Sequence, residues 1–318
     1  HGCILGRDSD KGLVMKHIAF KISYDGSAFK GFQKNHGITS VQGEIENALK
    51  PIVGDVEISA VSRTDAGVHA FSQIFSFSYD TNIPHGRLAE VLTNAFSTRK
   101  SDYRKQAAIA IEGWAELGRA MNPRYFVKGK RYIYVFKKNA GSDIFARNYM
   151  LLTNGDLNVG RMKEEAKAFV GEHDFSAFRT QDGRSPIRKV FSANVISCEE
   201  LNDEIHEPLT DEYGRISDII ALKKRLLPRL NLSNLQGYVF FAVTGEGFLY
   251  NMVRIMAGTL LEVGKNKFDK PVCDVLKSKN RQMAGITAPP QGLYLDEVFM
   301  NAEFPAFNVI DLEKHNDG

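Results

Sequence analysis

The sequence predicts an α+β protein of two α/β halves, with mainly antiparallel sheets and a basic cleft between them. Two observations carry this prediction. Segments with apolar residues at every second position alternate with segments whose apolar residues recur at helical spacing. The order strand, helix, strand, strand, helix, strand is read between residues 17 and 127, and a similar series begins again near Lys128. That order is the split β-α-β arrangement of ferredoxin-like domains. No sequence repeat relates the halves, so their likeness lies in the order of elements alone.

In the first half, Ile18, Phe20, Ile22 and Tyr24 alternate as a strand that runs into an Asp25-Gly26 turn. Ser40 caps a helix with Val41, Ile45, Ala48 and Leu49 on one face, stopped near Pro51. Val56, Ile58 and Ala60 read as one strand, and Phe75, Phe77 and Tyr79 as the next. Pro84 can start a second helix, whose stripe is Leu88, Val91, Leu92, Ala95 and Phe96. A shorter strand is expected over 108–112.

In the second half, a strand over 131–136 puts Tyr132, Tyr134 and Phe136 on one face. A helix over 158–170 shows Met162, Ala166, Phe169 and Val170, and Gly171 ends it. Strands follow at 189–197 and 237–244. A long helix over 248–263 carries Leu249, Val253, Met256, Leu260 and Val263, and a short helix at 272–277 and a strand at 293–300 complete the series. Residues 199–236 begin acidic and end basic and Leu-rich, which reads as a surface insertion, partly helical or disordered. The expected division is an extension at 1–16, one domain at 17–127 and another at 128–318.

Composition narrows the function classes. A chain of 318 residues is long enough for two cores, and its 43% hydrophobic and 25% charged residues are those of a soluble globular protein. No apolar run approaches the roughly 20 residues that cross a bilayer. Residues 1–16 show no apolar core of signal-peptide type. Cys3, Cys198 and Cys273 are odd in number and far apart, so neither a disulfide framework nor a zinc knuckle is expected and a reducing compartment is. The net charge of +3 is too small to argue nucleic-acid binding, but basic residues cluster at 99–105, 124–138, 179–189 and 223–229. Tyr103, Tyr125, Phe126, Tyr132 and Phe178 lie among the first three clusters, a mixture that suits phosphates and splayed bases. Solvated faces over ordinary core aromatics read the same way.

Three stretches carry chemistry. Ser62-Arg63-Thr64-Asp65-Ala66-Gly67-Val68-His69-Ala70 packs a guanidinium, hydroxyls, a carboxylate and an imidazole between two strands. It reads as an active loop on a rigid scaffold or as a hairpin turn whose Asp65 bonds its own backbone. Lys130-Arg131-Tyr132-Ile133-Tyr134 sets two tyrosines among cations. In Phe248-Leu249-Tyr250-Asn251-Met252-Val253-Arg254-Ile255-Met256-Ala257-Gly258, Arg254 lies on an apolar helix, where an arginine calls for a carboxylate partner.

These runs, in this order, resemble tRNA pseudouridine synthases of the A type. So do Phe29-Lys30-Gly31-Phe32-Gln33, Val41-Gln42-Gly43-Glu44, Asn122-Pro123-Arg124, Glu172-His173-Asp174-Phe175-Ser176-Ala177-Phe178-Arg179 and Ala288-Pro289-Pro290-Gln291-Gly292-Leu293-Tyr294-Leu295. The resemblance covers roughly residues 17–300, and the long insertion looks more like eukaryotic members than compact bacterial ones. It implies the pseudouridine synthase fold, with ferredoxin-like (RRM-like) halves, and isomerisation of uridine in or near the tRNA anticodon stem-loop without a cofactor or metal. Asp65 is implied as the nucleophile, with Arg254 pairing with it and lowering its pKa. Tyr132 would stack on the target base and assist proton movement, and Arg63 would hold the flipped nucleotide. Arg124, Lys130, Arg131 and Arg179 are the further expected RNA contacts, and His69 is read as fixing the loop. The implied partner is tRNA, met by a homodimer or by one chain alone, in cytoplasm, nucleus or mitochondrion. Two other classes stand beside this reading: an inactive RNA-binding or chaperone-like protein on the same scaffold, and a glycoside hydrolase using Asp65 with Glu246 as second carboxylate.

Overall fold

A computed structural model describes residues 15–96, 108–138, 145–181, 183–198, 200, 227 and 236–310. The alternating segments of the first half become β1 (Lys16–Tyr24), β2 (Ser59–Ala60), β3 (His69–Tyr79) and β4 (Ile109–Leu117), with helices α1 (Val41–Val53) and α2 (His85–Phe96). The second half supplies β5 (Val127–Lys138), β6 (Leu151–Thr153), β7 (Gly171–Asp174), β8 (Ile187–Ser197), β9 (Tyr238–Gly245), β10 (Leu293–Met300) and β11 (Asn308–Val309). Its helices are α3 (Val159–Ala166), α4 (Met252–Gly264) and α5 (Val272–Ser278).

The strands join in one mostly antiparallel sheet of order β11-β4-β1-β3-β10-β5-β9-β8-β7, with β2 also on β3 and β6 on β5. The halves meet where β3 and β10 run parallel, over Tyr294↔His69 and Leu295↔Ala70. The chain then returns: β11 pairs with β4, so the last described strand of the second half lies on the first.

Two apolar cores form under the helices. Ile18, Phe20, Ile22, Ile45, Leu49 and Phe75 build one, and Tyr134, Phe136, Phe169, Phe241, Met256 and Leu260 the other. Burial of each such side chain contributes about 1.5–3 kcal/mol. A third cluster of Ile133, Val135, Phe240, Ala242 and Tyr294 covers the opposite face of the second half. Strand β9 is therefore buried on both faces, which explains its nearly unbroken apolar run.

Several boundaries differ from the sequence expectation. The strand expected from Val56 starts only at Ser59, opposite Ser76 of β3; just before it the Ile58 N–H faces the Glu46 carboxylate of α1 at 3.5 Å instead of a strand partner. Pro51 does not stop α1, since it forgoes only its own N–H bond; Gly54, at φ +82°, ends the helix after Val53. Helix α4 starts at Met252 rather than at 248, because Asn251 is left-handed at φ +60°. Val170 is exposed: α3 tightens into a 3-10 turn over Lys167–Phe169 and turns that side chain outward. The strand expected to end at 112 continues to Leu117. The insertion lies outside the described residues apart from Glu200, Leu227 and Gln236.

Candidate active site

Between β2 and β3 the polar loop is held from every side. Gln73 is fully buried and bonds both the N–H and the carbonyl of Ser62, at 3.2 and 2.8 Å. The Tyr24 hydroxyl lies 2.6 Å from Thr64 Oγ1, and the Phe32 N–H donates to the Thr64 carbonyl at 3.0 Å. The Val68 N–H closes a turn on the Asp65 carbonyl at 3.1 Å. Within that turn Gly67 takes φ +79°, and a Cβ there would stand 3.0 Å from Pro290. His69 is buried at the loop's end; its Nδ1 meets the Gly26 N–H at 3.1 Å and its Nε2 the Asn148 carbonyl at 3.0 Å. Its ring stacks on Tyr294, so His69 anchors the loop, as the sequence reading had it.

The anchored loop presents the half-buried Asp65 carboxylate to Arg254, whose Nη1 lies 3.4 Å from Oδ2. Arg254 stands on the first turn of α4, where its Nε donates to the Ala288 carbonyl and its Nη1 to Asn251 Oδ1, both at 2.8 Å. The Ala288 N–H returns a bond to the Arg254 carbonyl at 3.0 Å. Tyr134 fixes the same segment by donating to the Pro289 carbonyl at 2.7 Å. Arg254 is thus aimed before any substrate arrives. Burial pushes the Asp65 pKa above its ordinary value; the charge and hydrogen bond of Arg254 oppose the shift without cancelling it. The net direction reverses the lowered pKa expected from the pairing, because desolvation outweighs one ion pair at 3.4 Å.

Tyr132 comes from β5 and packs at the seam of the two cores, edge-on to Phe248 with ring centroids 5.3 Å apart. Burial pushes its phenol up to about 12, a hydrogen bond with Ser62 opposes that, and the Asp65 charge adds to it. The phenol is therefore neutral at physiological pH and lies within electrostatic reach of Asp65.

The expected RNA contacts separate into two groups. Arg63 and Arg124 are exposed, and Arg179 and Lys130 partly so. Arg131 is a correction: its side chain is 1% exposed and its Nε lies 2.7 Å from Asp296 Oδ2, so it serves the core between β5 and β10. Strand alternation explains the difference, since Arg131 points away from the face shared by Lys130 and Tyr132. Glu246, the carboxylate a glycoside hydrolase would need, is exposed, accepts the Lys189 N–H at 3.3 Å and is not among the groups acting on Asp65. Among the described residues no cluster of His, Cys, Asp and Glu could hold a metal ion, and no helix is long and apolar enough to cross a membrane.

Comparison with known proteins assigns the chain to a family. The tRNA pseudouridine synthase family profile matches residues 166–301. The chain is 32% identical to tRNA pseudouridine synthase A of Ruminiclostridium cellulolyticum, over 90% of this chain and 100% of the relative. It is 35% identical to the protein of the same name from Bacillus pumilus, over 87% and 96% of the two chains. The corresponding Thermoanaerobacter protein is 32% identical over 89% and 99%. The chain belongs to the tRNA pseudouridine synthase A family.

For a member of that family, the sequence reading missed two supports of the site. Asn251 lies in the Phe248–Gly258 run, just before Met252, but drew no role; its side chain joins Arg254 to Thr180 Oγ1, the latter at 3.0 Å. An asparagine just before a helix was the available signal, because Asn tolerates the left-handed backbone better than most residues. Gln73 left no such signal. A glutamine inside a strand reads as solvent-facing until the fold buries it.

Proposed function

We propose that this chain isomerises uridine to pseudouridine in tRNA, in or near the anticodon stem-loop, with Asp65 as the nucleophile. The observation that carries the reading is the Asp65–Arg254 ion pair, formed between residues 189 positions apart and set beside Tyr132. Asp65 bonds to C1′ of the flipped nucleoside as the bond between C1′ and N1 breaks; the uracil turns, C1′ bonds to C5, and the bond between C1′ and Asp65 breaks to free the carboxylate. One proton leaves C5 and one is taken up at N1, so no oxidant or reductant is consumed. Arg254 keeps the carboxylate ionised and oriented, Tyr132 stacks on the uracil and assists the proton at C5, and Arg63 holds the extruded nucleotide. Arg124, Lys130 and Arg179 line a basic cleft for the flanking strand.

The reading extends to the architecture. The orders β4-β1-β3-β2 and β10-β5-β9-β8 support two ferredoxin-like halves, divided near residue 127, with the cleft along their seam. A homodimer is part of the proposal, tested by sedimentation of the purified chain. The central test maps pseudouridines in tRNA by carbodiimide-dependent primer stops after incubation with the wild-type chain or Asp65→Asn. Stops in the stem-loop with the wild type alone are expected. Equal stops with both proteins would remove Asp65 from the mechanism.

A further inference from the structure

The 3-10 turn Pro123–Phe126 lies against β2 and β3. Pro123 is buried, and the Asn122 side chain caps the turn by accepting the Arg124 N–H at 3.1 Å. Yet the turn holds Tyr125 out in water with 81% of its surface exposed. A large aromatic fixed in solvent contributes nothing to either core.

Beside it, two cations converge on the strand that leads into the Asp65 loop. Arg124 Nη2 reaches the Ala60 carbonyl at 3.3 Å, and Lys130 Nζ reaches the next carbonyl, of Val61, at 3.2 Å. Among the described residues each side chain spends one donor there, of the three an ammonium has and the five of a guanidinium. Neither makes an ion pair with a carboxylate among the described residues. Burial, followed by the positive charges of Arg124 and Arg184, pushes the Lys130 ammonium down to about 8. Bringing like charges together at a half-buried amine disfavours the folded state, and an anion among them reverses the effect.

We propose that Arg124 and Lys130 bind one phosphate of an RNA strand, and that Tyr125 stacks on the unpaired base next to it. Lys130 and Tyr132 share a face of β5 two residues apart, about 7 Å along the strand. The subsite therefore adjoins the position proposed for the target base. Phosphate recognition by guanidinium and ammonium groups, with a base on an aromatic platform, is the chemistry of single-stranded RNA contact. This subsite rests on the tRNA-modifying reading above and would order the nucleotides that flank the flipped uridine.

The test measures tRNA binding by filter retention at several salt concentrations, together with single-turnover pseudouridine formation, for the wild type and three variants. Tyr125→Ala is expected to weaken binding about tenfold or more, in line with the loss of one stacked base, while Tyr125→Phe stays close to wild type. The saturating single-turnover rate of Tyr125→Ala should change far less than its half-saturation concentration. Arg124→Ala should lower the slope of log affinity against log salt by about one, as one phosphate contact is lost. Thermal melting checks that each variant is folded, and Tyr125 is exposed enough for its variants to fold. An active wild type whose affinity survives Tyr125→Ala overturns the subsite alone. A wild type that forms no pseudouridine overturns the enzymatic reading and the subsite with it.

Discussion

Two arginine–aspartate pairs in this chain use the same chemistry for opposite ends. Arg131 and Asp296 lie 2.7 Å apart with side chains 1% and 0% exposed. Asp65 and Arg254 lie 3.4 Å apart, their side chains 30% and 16% exposed. In the first pair the guanidinium and carboxylate are closed off between two central strands. In the second, the arginine is held by a backbone carbonyl and an asparagine, and the carboxylate keeps room to accept a partner. A short, sealed pair holds strands together; a longer one whose carboxylate meets solvent stands ready for a substrate. The comparison shows why a charged residue beside a motif need not belong to the site.

The contrast can be broken in four ways. Asp65→Asn should lower pseudouridine formation by about 10³-fold or more, the scale of losing a nucleophile, with tRNA affinity retained. Tritium release from labelled tRNA checks the first part and filter binding the second. Arg131→Ala should cost about 3–5 kcal/mol of stability, because Asp296 is left charged and buried, while the salt dependence of tRNA binding stays as in the wild type. Replacing both partners, as in Arg131→Met with Asp296→Leu, should recover much of that loss in urea unfolding. Asn251→Gly permits the positive φ but removes the acceptor for Arg254; a drop of about tenfold in the saturating rate is expected, with a small change in melting temperature.

The smallest effect concerns pH. Asp65 titrates above its ordinary value of 3.8, so the folded chain binds its proton more tightly than the unfolded chain does. Its protonated form favours folding at low pH, and that contribution is lost as pH rises through the folded pKa. The melting temperature of Asp65→Asn relative to wild type should therefore rise with pH across that window and then level off. Wild-type activity should rise over the same window as the nucleophile ionises. A wild-type activity rise centred at or below 3.8 would show that Arg254 outweighs burial.

The Asp65 loop and the partner expected for Arg254 were legible because both carry chemistry that a bland turn or helix does not need. A carboxylate followed by a glycine turn marks a local conformation, and an arginine in an apolar helix demands a countercharge. The ends of elements were less legible. The late start of β2 goes with a side chain from α1 facing the Ile58 N–H, and the late start of α4 with one left-handed residue. Lys130 and Arg131 show the limit most directly. They are adjacent cations in one motif, and only their alternation across β5, seen against Asp296, separates a partly exposed group from a core pair.

The amino-acid order by itself determined the alternation of strands and helices, the family likeness and the residues able to do chemistry, because periodicity and residue type act locally. The tertiary structure alone decided that β3 meets β10 and that burial of the Asp65 carboxylate outweighs its ion pair with Arg254. Those outcomes depend on how much water each group loses, and desolvation is set by residues far away in sequence.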